Sequence, residues 1–545
     1  MATKPERLRL LTASLSPLLF SASLIAGEPG EGGPELMQKS GMEQPLHAVK
    51  RAKGEGSGPF SRLVIRGVTV ISGTGAPAQG PMDVVVKGDT ITGIHSVGVE
   101  GVPINPAGRP ARGEHEIDGQ GMYLLPGLID AHAHIGNPLQ GFVGPLPPAE
   151  YIFKLWLGHG ITTVREVGSL MGLEWTVSHK KRSQEAEITA PRIMAYAMFP
   201  GSDINNDIAA RKWVKAIKRK GADGIKFRGA SRTVMAAAID EAVKLNIRTA
   251  SHHDQTSVYD VNALTSAKLG LNSMEHWYGL PEALFVDRRI QDYSIDYNYN
   301  NEQDRFGEAG RLWKQAAPRG SERWQQVIDE LLAVDFTLVP TFTIYEANRD
   351  VMRARTAEWH EQYTHPNLTK FFEPNPILHG SYHFDWTTAM ENDWRDNFHI
   401  WMSFVNDYKN AGGRVVAGSD AGFIYKLYGF AFIRELELLQ SAGFHPLEVL
   451  QTATLHASEL LGLADQVGTI EVGKKADLLL VEENPLANFK VLYGTGHQKY
   501  NWQSKSVERV GGVSFTIKNG IVLDAKQLLA DVRAMVNDAR GNYPR

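Results

Sequence analysis

The 545-residue sequence predicts an α/β fold: a (β/α)8 TIM-like barrel with a small β-sandwich domain formed from the N- and C-terminal segments. Three observations support this fold class. Strand-like and helix-like segments alternate through the middle of the chain, eight candidate strands can be counted there, and β-branched runs occur near both ends. Alternation of this kind is typical of parallel sheets, and eight strand–helix units favour a closed barrel over an open sheet.

The eight candidate strands are short apolar or β-branched runs. In chain order they read YLLPGLIDAHAHI, ITTVREV, RIMAYAMF, GIKFRG, IRTASHH, NSMEHW, FTLVPTF and RVVAGSD. Intervening segments such as DIAARKWVKAIKRKG contain apolar residues at three- and four-residue spacing, as amphipathic helices do. Because the active sites of such barrels lie at the C-terminal ends of the strands, polar residues at those ends are the first functional candidates.

The two ends of the chain have a different sequence pattern, one that is typical of antiparallel β-strands. RLVIRGVTVISGTG and MDVVVKGDTITGIHSVG near the start, and GTIEVGKKADLLLVEENP and GVSFTIKNGIVLD near the end, are β-branched runs interrupted by turn residues. These patterns predict a leader and flexible tether over residues 1–58, a β-domain from 59–124 and 466–525, the barrel over 125–465, and a C-terminal helix or tail over 526–545.

The composition limits the classes of function. Hydrophobic residues make up 43% and charged residues 22%, the net charge is −4, and no long basic run occurs, so neither nucleic acid nor an anionic membrane surface is expected as a partner. The chain has no cysteine, which excludes disulfides, thiolate nucleophiles and cysteine-bound zinc. Any metal must therefore be held by His, Asp, Glu or a modified Lys.

The N-terminus allows two interpretations. Lys4, Arg7 and Arg9 precede a mostly apolar stretch from Leu10 to Ala26, which has the outline of a signal peptide and would place the protein in the periplasm or outside the cell. Serines interrupt that stretch, so a disordered leader on a cytoplasmic protein is the alternative. No other segment approaches the ~20 apolar residues of a stable membrane span.

Six polar residues lie at or near the ends of predicted strands. They are His132 and His134 on the first strand, Lys226 on the fourth, His252 on the fifth, His276 on the sixth and Asp420 on the eighth. Side chains at i and i+2 of a strand face the same way, so the first two imidazoles form a natural metal-binding pair. Each residue alone has a structural explanation, such as a hydrogen-bonded core histidine, a helix-capping Asp or a Lys that reaches water. Their conjunction at five strand ends favours a metal site.

Several motifs show a family resemblance. PGLIDAHAH closely resembles the first-strand signature of the amidohydrolase superfamily, and GITTVRE, GADGIKF, SMEHW, AGSDA, LQTATLHASELLGL and GTIEVGKKADLLLVEENPL resemble its later blocks in the expected order. The resemblance extends from about Leu63 to Leu486. It is strongest to the branch that contains imidazolonepropionase-like enzymes and the Xaa-Pro and Xaa-Arg dipeptidases.

This resemblance implies a centre of two divalent ions. His132 and His134 would bind the more buried ion, and His252 and His276 the more exposed one. Lys226 matches the lysine that this branch carboxylates with CO₂ to bridge both ions. Zinc is the expected metal, because imidazole suits it, although Mn and Co are compatible.

The resemblance also implies a reaction. Asp420 would ligate the first ion and act as general base towards a metal-bridging hydroxide, then pass the proton to the leaving amine. The expected activity is hydrolysis of an amide in a small molecule or short peptide: a dipeptide, an N-acyl amino acid or a cyclic amide. A lactonase or organophosphate esterase on the same site is the nearest alternative, and a non-catalytic binding barrel is another. Barrels of this branch commonly associate, so a homo-oligomer is compatible with the sequence.

The segment after the fifth strand departs from the pattern. Dipeptidases of this branch resemble HAY there, with a tyrosine that helps to polarise the substrate carbonyl, whereas this chain reads His252-His253-Asp254-Gln255. His253 is therefore a candidate catalytic residue, with a structural hydrogen bond as the alternative. Mononuclear deaminases have His-x-x-Glu at this place, and because Gln255 cannot exchange a proton, its presence argues against deamination.

Substrate contacts are expected from two long, aromatic-rich connections after the sixth and seventh strands. Such connections often form functional lids, although their rings can also form a satellite core or a subunit contact. Tyr297, Tyr299, His383 and Trp386 are the candidates for substrate binding. Glu166, at the end of the second strand, is a further candidate at the pocket rim, with an ordinary salt bridge as the alternative.

Overall fold

The computed structural model describes residues 46–99, 101–104, 106–376 and 378–542. Residues 1–45, which make up most of the predicted leader, lie outside the described residues. None of the helices within the described ranges has the length and apolar character that a membrane crossing requires.

Eighteen strands are found among the described residues, and they form two eight-stranded sheets and one hairpin. They are β1 (Leu63–Val70), β2 (Gln79–Lys87), β3 (Thr90–Ser96), β4 (His115–Asp118), β5 (Tyr123–Pro126), β6 (Leu128–Ala133), β7 (Ile161–Gly168), β8 (Arg192–Met198), β9 (Gly224–Phe227), β10 (Arg248–Ser251), β11 (Ser273–Glu275), β12 (Thr337–Val339), β13 (Arg414–Val415), β14 (Leu478–Val481), β15 (His497–Asn501), β16 (Ser506–Val510), β17 (Val513–Lys518) and β18 (Ile521–Asp524).

Helices follow most strands of the middle region, as the alternating pattern predicts. They are α1 (Ala149–Gly158), α2 (Leu173–Gln184), α3 (Asp207–Arg219), α4 (Arg232–Lys244), α5 (Ala263–Lys268), α6 (Leu280–Ala283), α7 (Glu302–Ala309), α8 (Glu322–Leu332), α9 (Phe342–Arg349), α10 (Val351–Arg355), α11 (His360–Tyr363), α12 (Pro366–Phe371), α13 (Thr388–Asn410), α14 (Phe430–Ser441), α15 (Pro446–Thr452), α16 (Leu455–Leu461) and α17 (Ala525–Asn542).

The middle sheet consists of β6 to β13, in sequence order and parallel throughout. All six residues of β6 and all eight of β7 are buried, as expected for strands with helices on one face and an apolar interior on the other. The prediction of an α/β fold built on eight parallel strands is confirmed.

The two ends of this sheet meet. The backbone N–H of Ala131 in β6 donates to the carbonyl of Ala417, and the N–H groups of Ser419 and Asp420 donate to the carbonyl of His132, at 3.1, 3.2 and 2.8 Å. A Cβ atom on Gly418 would lie 2.7 Å from the Cβ of His132, so only glycine permits this approach. The sheet therefore curls until the segment after β13 lies beside β6, as in a TIM-like barrel.

The second eight-stranded sheet combines strands from both ends of the chain. Its order is β18-β17-β14-β5-β1-β2-β3, with β4 beside β1. The antiparallel pair β5–β14 joins the N-terminal strands to the C-terminal ones. The two segments thus pair edge to edge within one sheet, and a sandwich of two facing sheets is not confirmed.

The long connections after β11 and β12 fold mainly into α7 to α13. Many of their aromatic side chains are buried: Trp394 lies 5.8 Å from Tyr345 and from Trp277 between ring centroids, and Trp401 lies 4.5 Å from Phe342. These rings form an extension of the core over the barrel, which limits how many of them can contact a ligand.

Candidate metal centre

Three imidazoles surround one carboxylate at the C-terminal ends of the parallel strands. The Nε2 atom of His134 lies 3.2 Å from Oδ1 of Asp420, and that of His132 lies 3.5 Å from the same oxygen. The Nε2 atom of His276 lies 3.6 Å from Oδ2. Ligand atoms of His132, His134 and Asp420 all fall within 4.8 Å of one another. Imidazole nitrogens and a carboxylate oxygen converging in this way suit a divalent metal ion.

Each of these three imidazoles has a partner for its other ring nitrogen. The Nδ1 pairs are His132 with Oε2 of Glu275 at 2.6 Å, His134 with Oε1 of Glu166 at 3.3 Å, and His276 with Oγ1 of Thr341 at 2.6 Å. A hydrogen bond at Nδ1 fixes the ring orientation and leaves Nε2 as the nitrogen that faces Asp420. The three rings are therefore held in the orientation that a metal site requires.

A buried ion pair supports His132 from behind. Arg165 and Glu275 are both completely buried, with 2.8 Å between guanidinium and carboxylate, and Arg165 also donates to Oγ of Ser273 at 3.0 Å. Burial alone would raise the pKa of Glu275, but the charges of Arg165 and Lys226 hold that pKa well below its usual range. Glu275 is therefore an anion when it accepts the hydrogen bond from His132.

Lys226 and His252 complete the set of six predicted ligands. Lys226 lies in β9, where burial lowers the pKa of its amine to about 7. His252 directly follows β10, and its ring centroid is 4.7 Å from that of His276. Burial is the main cause, and the neighbouring His276 the second, of a pKa of His252 well below the ordinary value. Its imidazole is therefore neutral and able to ligate a cation.

The backbone is strained at three positions of this centre. His276, Thr341 and Asp420 have φ angles of 64°, 52° and 49°, in the left-handed region that non-glycine residues rarely adopt. Each such residue costs about 1–3 kcal/mol and persists where the surrounding structure enforces it, most often at functional sites. The strain here coincides with two candidate ligands and the residue that orients one of them.

All six strand-end residues line one cavity of about 160 Å³. The rest of the lining includes residues of the insertions after β11 and β12 and of the segment after β9. Its basic and aromatic members include Arg228, Tyr278, Tyr299, Arg305, Tyr345 and His379. The centre therefore opens into a space that offers both apolar surface and cationic groups to a small ligand.

Of the five predicted substrate contacts, Tyr299 lines the cavity. Its hydroxyl donates to Asp254 at 3.0 Å, and the guanidinium of Arg305 lies 5.2 Å from its ring centroid. The structure does not bring Tyr297, His383 and Trp386 to the cavity wall. Tyr297 packs on Tyr293, and His383 is buried between Trp386 and Asn348.

Two further predicted residues also lie away from the cavity wall. His253 is buried and pairs with Oγ of Ser266 at 2.7 Å, because successive side chains after β10 face opposite ways and His252 occupies the cavity side. Glu166 lies behind His134 and accepts hydrogen bonds from its Nδ1 and from the backbone N–H of Ile135. Neither residue is among those that line the cavity.

The sequence analysis did not predict several residues of the site, although the spacing of some of them along the chain could have identified them. Arg228 follows Lys226 by two positions and Tyr278 follows His276 by two, so the same alternation that paired His132 with His134 could have found them. Arg305 belongs to α7, in an insertion without a motif, and only the tertiary structure brings it to the cavity.

Comparison with known proteins supports the assignment of the fold and family. The amidohydrolase family model matches residues 402–521. Adenine deaminases of Leuconostoc citreum and Methanoculleus marisnigri share 37% identity over 78 residues and 53% over 53 residues. These matches cover 13% and 10% of this chain, and the chain spans only 13% and 9% of the length of those relatives.

Solved structures are similar over most of the chain. They include a Xaa-Pro dipeptidase with bound methionine in its active site (TM-score 0.56, 17% identity, 85% of this chain and 100% of that one) and bottromycin amidohydrolase (TM-score 0.59, 18% identity, 89% and 91%). A putative prolidase from Bifidobacterium longum has a TM-score of 0.56 at 20% identity, over 88% and 99% of the two chains. At these identities the likeness establishes the shared fold. The chain therefore has the fold of Xaa-Pro dipeptidase-like amidohydrolases, and its residues 402–521 match the amidohydrolase family model.

Proposed function

We propose that this chain is a metal-dependent hydrolase that cleaves a carbon–nitrogen bond, an amide in a small molecule or short peptide. The single observation that supports this most strongly is the convergence of three Nε2 atoms on the Asp420 carboxylate, with distances of 3.2 to 3.6 Å. The amidohydrolase family match and the dipeptidase-like fold support the same class of reaction.

Ligand atoms of His132, His134 and Asp420 lie close enough together to hold one divalent ion. We propose that His252 and His276 would hold a second ion, and that a carboxylated Lys226 would be shared between the two. When bound, such ions lower the pKa of a coordinated water to about 7 and polarise a carbonyl group. Zinc is the first choice for a site built from imidazole and carboxylate without thiolate.

Asp420 is the proposed general base. Burial would raise the pKa of its carboxyl, but His132 and His134 hold that pKa below its ordinary range, so the group is an anion at neutral pH. As a carboxylate at the cavity wall it accepts the proton of the attacking water and returns it to the leaving amine. Gly418 and the left-handed backbone at Asp420 place this side chain beside β6, the first strand of the barrel.

Lys226 is the proposed site of carboxylation. Only a neutral amine adds CO₂, and burial lowers the pKa of this amine to about 7. The neutral amine adds CO₂ and loses one proton to give a carbamate anion, so two protons are released in all when the reaction starts from the ammonium form. The carbamate has two oxygens to offer and removes the cost of burying an ammonium group. Native mass spectrometry should detect one added CO₂ per chain, and Lys226→Met should abolish that increment.

The cavity wall favours a substrate with a carboxylate. Arg228 and Arg305 both line the cavity, and guanidinium groups recognise carboxylates through paired N–H donors. A dipeptide or an N-acyl amino acid meets this requirement better than an uncharged cyclic amide. Arg305 also pairs with Glu302 at 2.8 Å, which fixes its guanidinium against the wall.

Deamination is the second candidate, because the partial matches are to adenine deaminases. Gln255 lines the cavity at the place where the resemblance puts the deaminase glutamate, and its amide cannot exchange a proton. This residue therefore favours amide hydrolysis over deamination. Lactone and organophosphate hydrolysis need the same centre and are separated from amide hydrolysis only by substrate.

A substrate panel tests the proposal. Zinc-loaded protein should hydrolyse free-acid dipeptides or N-acyl amino acids faster than hydantoins, lactones, phosphotriesters or adenine, and chelation should abolish the activity reversibly. His134→Asn should lose the same activity. Release of ammonia from adenine without amide hydrolysis would instead support the deaminase hypothesis.

A further inference from the structure

The tyrosine that this branch places after the fifth-strand histidine has no counterpart at that position. Asp254 stands there, and its carboxylate accepts hydrogen bonds from the backbone and hydroxyl of Thr256 and from the hydroxyl of Tyr299, at 2.8, 2.7 and 3.0 Å. A carboxylate that is already engaged as an acceptor cannot donate a hydrogen bond to a substrate carbonyl. A hydrogen bond to the substrate carbonyl would therefore have to come from another residue of the cavity.

We propose that the hydroxyl of Tyr278 is this donor and polarises the scissile carbonyl. Tyr278 follows His276 by two residues and lines the cavity, and its ring centroid is 5.6 Å from that of His252. Tyr278 thus packs against the candidate ligand His252 and follows the candidate ligand His276 in the chain. This inference rests on the proposed hydrolase function.

The hydroxyl of Tyr278 is buried and makes no well-formed hydrogen bond with any described residue. The Tyr345 hydroxyl forms only a weak, poorly aligned hydrogen bond with it. A buried polar group that lacks a well-formed hydrogen bond costs up to about 1–3 kcal/mol, and such groups are uncommon in folded proteins. A ligand oxygen in the cavity would satisfy this donor.

The Tyr278 ring is held in place before any substrate arrives. Trp277 lies 4.3 Å from it and Tyr345 lies 6.1 Å away at 80°, both measured between ring centroids and ring planes. A fixed donor costs little reorganisation when negative charge develops on the carbonyl oxygen, and loss of one such donor typically lowers kcat about 100- to 1,000-fold. The geometry therefore suits a hydrogen bond that strengthens in the transition state.

Tyr278→Phe is the direct test, because it removes only the hydroxyl. On the best amide substrate, kcat should fall about 100- to 1,000-fold while KM changes little. An analogue of that substrate can be made in which a tetrahedral methylphosphonyl group replaces the scissile carbonyl. The affinity of the variant for this analogue should fall by a similar factor. Zinc content and Tm should remain at wild-type values. Tyr425→Phe, which removes another buried hydroxyl that lacks a well-formed hydrogen bond but lies outside the cavity wall, should leave kcat within about twofold of wild type.

Three outcomes would overturn the inference alone: unchanged kcat and analogue affinity in Tyr278→Phe, loss of zinc or a large fall in Tm in that variant, or the predicted loss appearing in Tyr345→Phe instead. A wild-type protein that hydrolyses none of the amides would overturn the proposed function, and this inference with it. The two failures are therefore distinguishable.

Discussion

The Nδ1 atom of His132 lies 2.6 Å from Oε2 of Glu275, and both side chains are buried. Arg165 donates to both oxygens of the same carboxylate, at 2.8 and 2.9 Å. This chain of contacts orients His132 towards Asp420 and supplies negative charge behind an imidazole. Carboxylates in this position strengthen the binding of metals by histidine.

Glu275→Gln should weaken metal binding about 10- to 100-fold, because the amide can still accept a hydrogen bond but lacks the charge. It should also destabilise the fold by about 3–5 kcal/mol, since Arg165 is left as a buried charge without its counterion. Competition with a zinc chelator and urea unfolding measure the two effects.

Glu358→Gln is the matched control for that substitution, because Glu358 also pairs with an arginine, Arg509, at 2.9 Å but near the surface. It should cost no more than about 1 kcal/mol and leave zinc affinity unchanged. Equal losses in both variants would contradict a specific role for Glu275.

Asp420→Asn should abolish turnover while most of the metal is retained. The amide cannot accept the proton of the attacking water, so we expect a loss of kcat of about 100- to 10,000-fold. Steady-state kinetics and metal analysis on the same preparation measure both properties. The exposed Asp203→Asn is the control, and wild-type activity in Asp420→Asn would remove this residue from the base role.

Arg305→Met should raise KM selectively for substrates with a free carboxylate. A hydrogen bond between charged groups contributes about 1.5–3 kcal/mol, which corresponds to a rise in KM of about 10- to 150-fold. The same substrate with its carboxylate converted to an amide should show little change in KM. If both substrates lose affinity equally, Arg305 maintains the shape of the wall rather than recognising the carboxylate.

Glu435→Gln should remove a pH dependence of stability. Burial raises the pKa of Glu435 from its ordinary 4.5 to about 8, although the carboxyl accepts backbone hydrogen bonds from Phe342 and Thr343. The folded protein therefore binds this proton more tightly than the unfolded chain, and the stabilisation is complete below pH 4.5 and lost as pH rises through 8. Urea unfolding of the metal-free proteins should show that the free energy of unfolding of the variant rises relative to that of wild type between pH 5 and 8. A constant difference would contradict the assignment.

The six candidate ligands were predictable because strand ends in a parallel barrel converge on one face. His132, Lys226 and Asp420, although far apart in sequence, line the same cavity for this reason. The roles of their supporting residues were not predictable, because each acts on a histidine that belongs to another strand. Glu275 precedes His276 in sequence but contacts His132, a pairing that only the curled sheet creates.

The substrate wall was less predictable than the metal centre. Tyr297 and Tyr299 belong to the same aromatic-rich insertion and cannot be told apart by sequence. Of the two, Tyr299 lines the cavity, because the conformation of the insertion decides which ring faces inwards. The β-sandwich prediction is not confirmed, for a related reason. The antiparallel pairing of β5 with β14 joins residues more than 350 positions apart, and local alternation cannot distinguish one continuous sheet from two facing ones.

The most direct test is a zinc titration of chelator-treated protein, with bound metal and amide hydrolysis measured on the same samples. Activity should rise in proportion to bound zinc and level off at about two ions per chain, and His134→Asn should bind less zinc and remain inactive. Full amide hydrolysis by protein that contains no transition metal would contradict the assignment of this site as a catalytic metal centre.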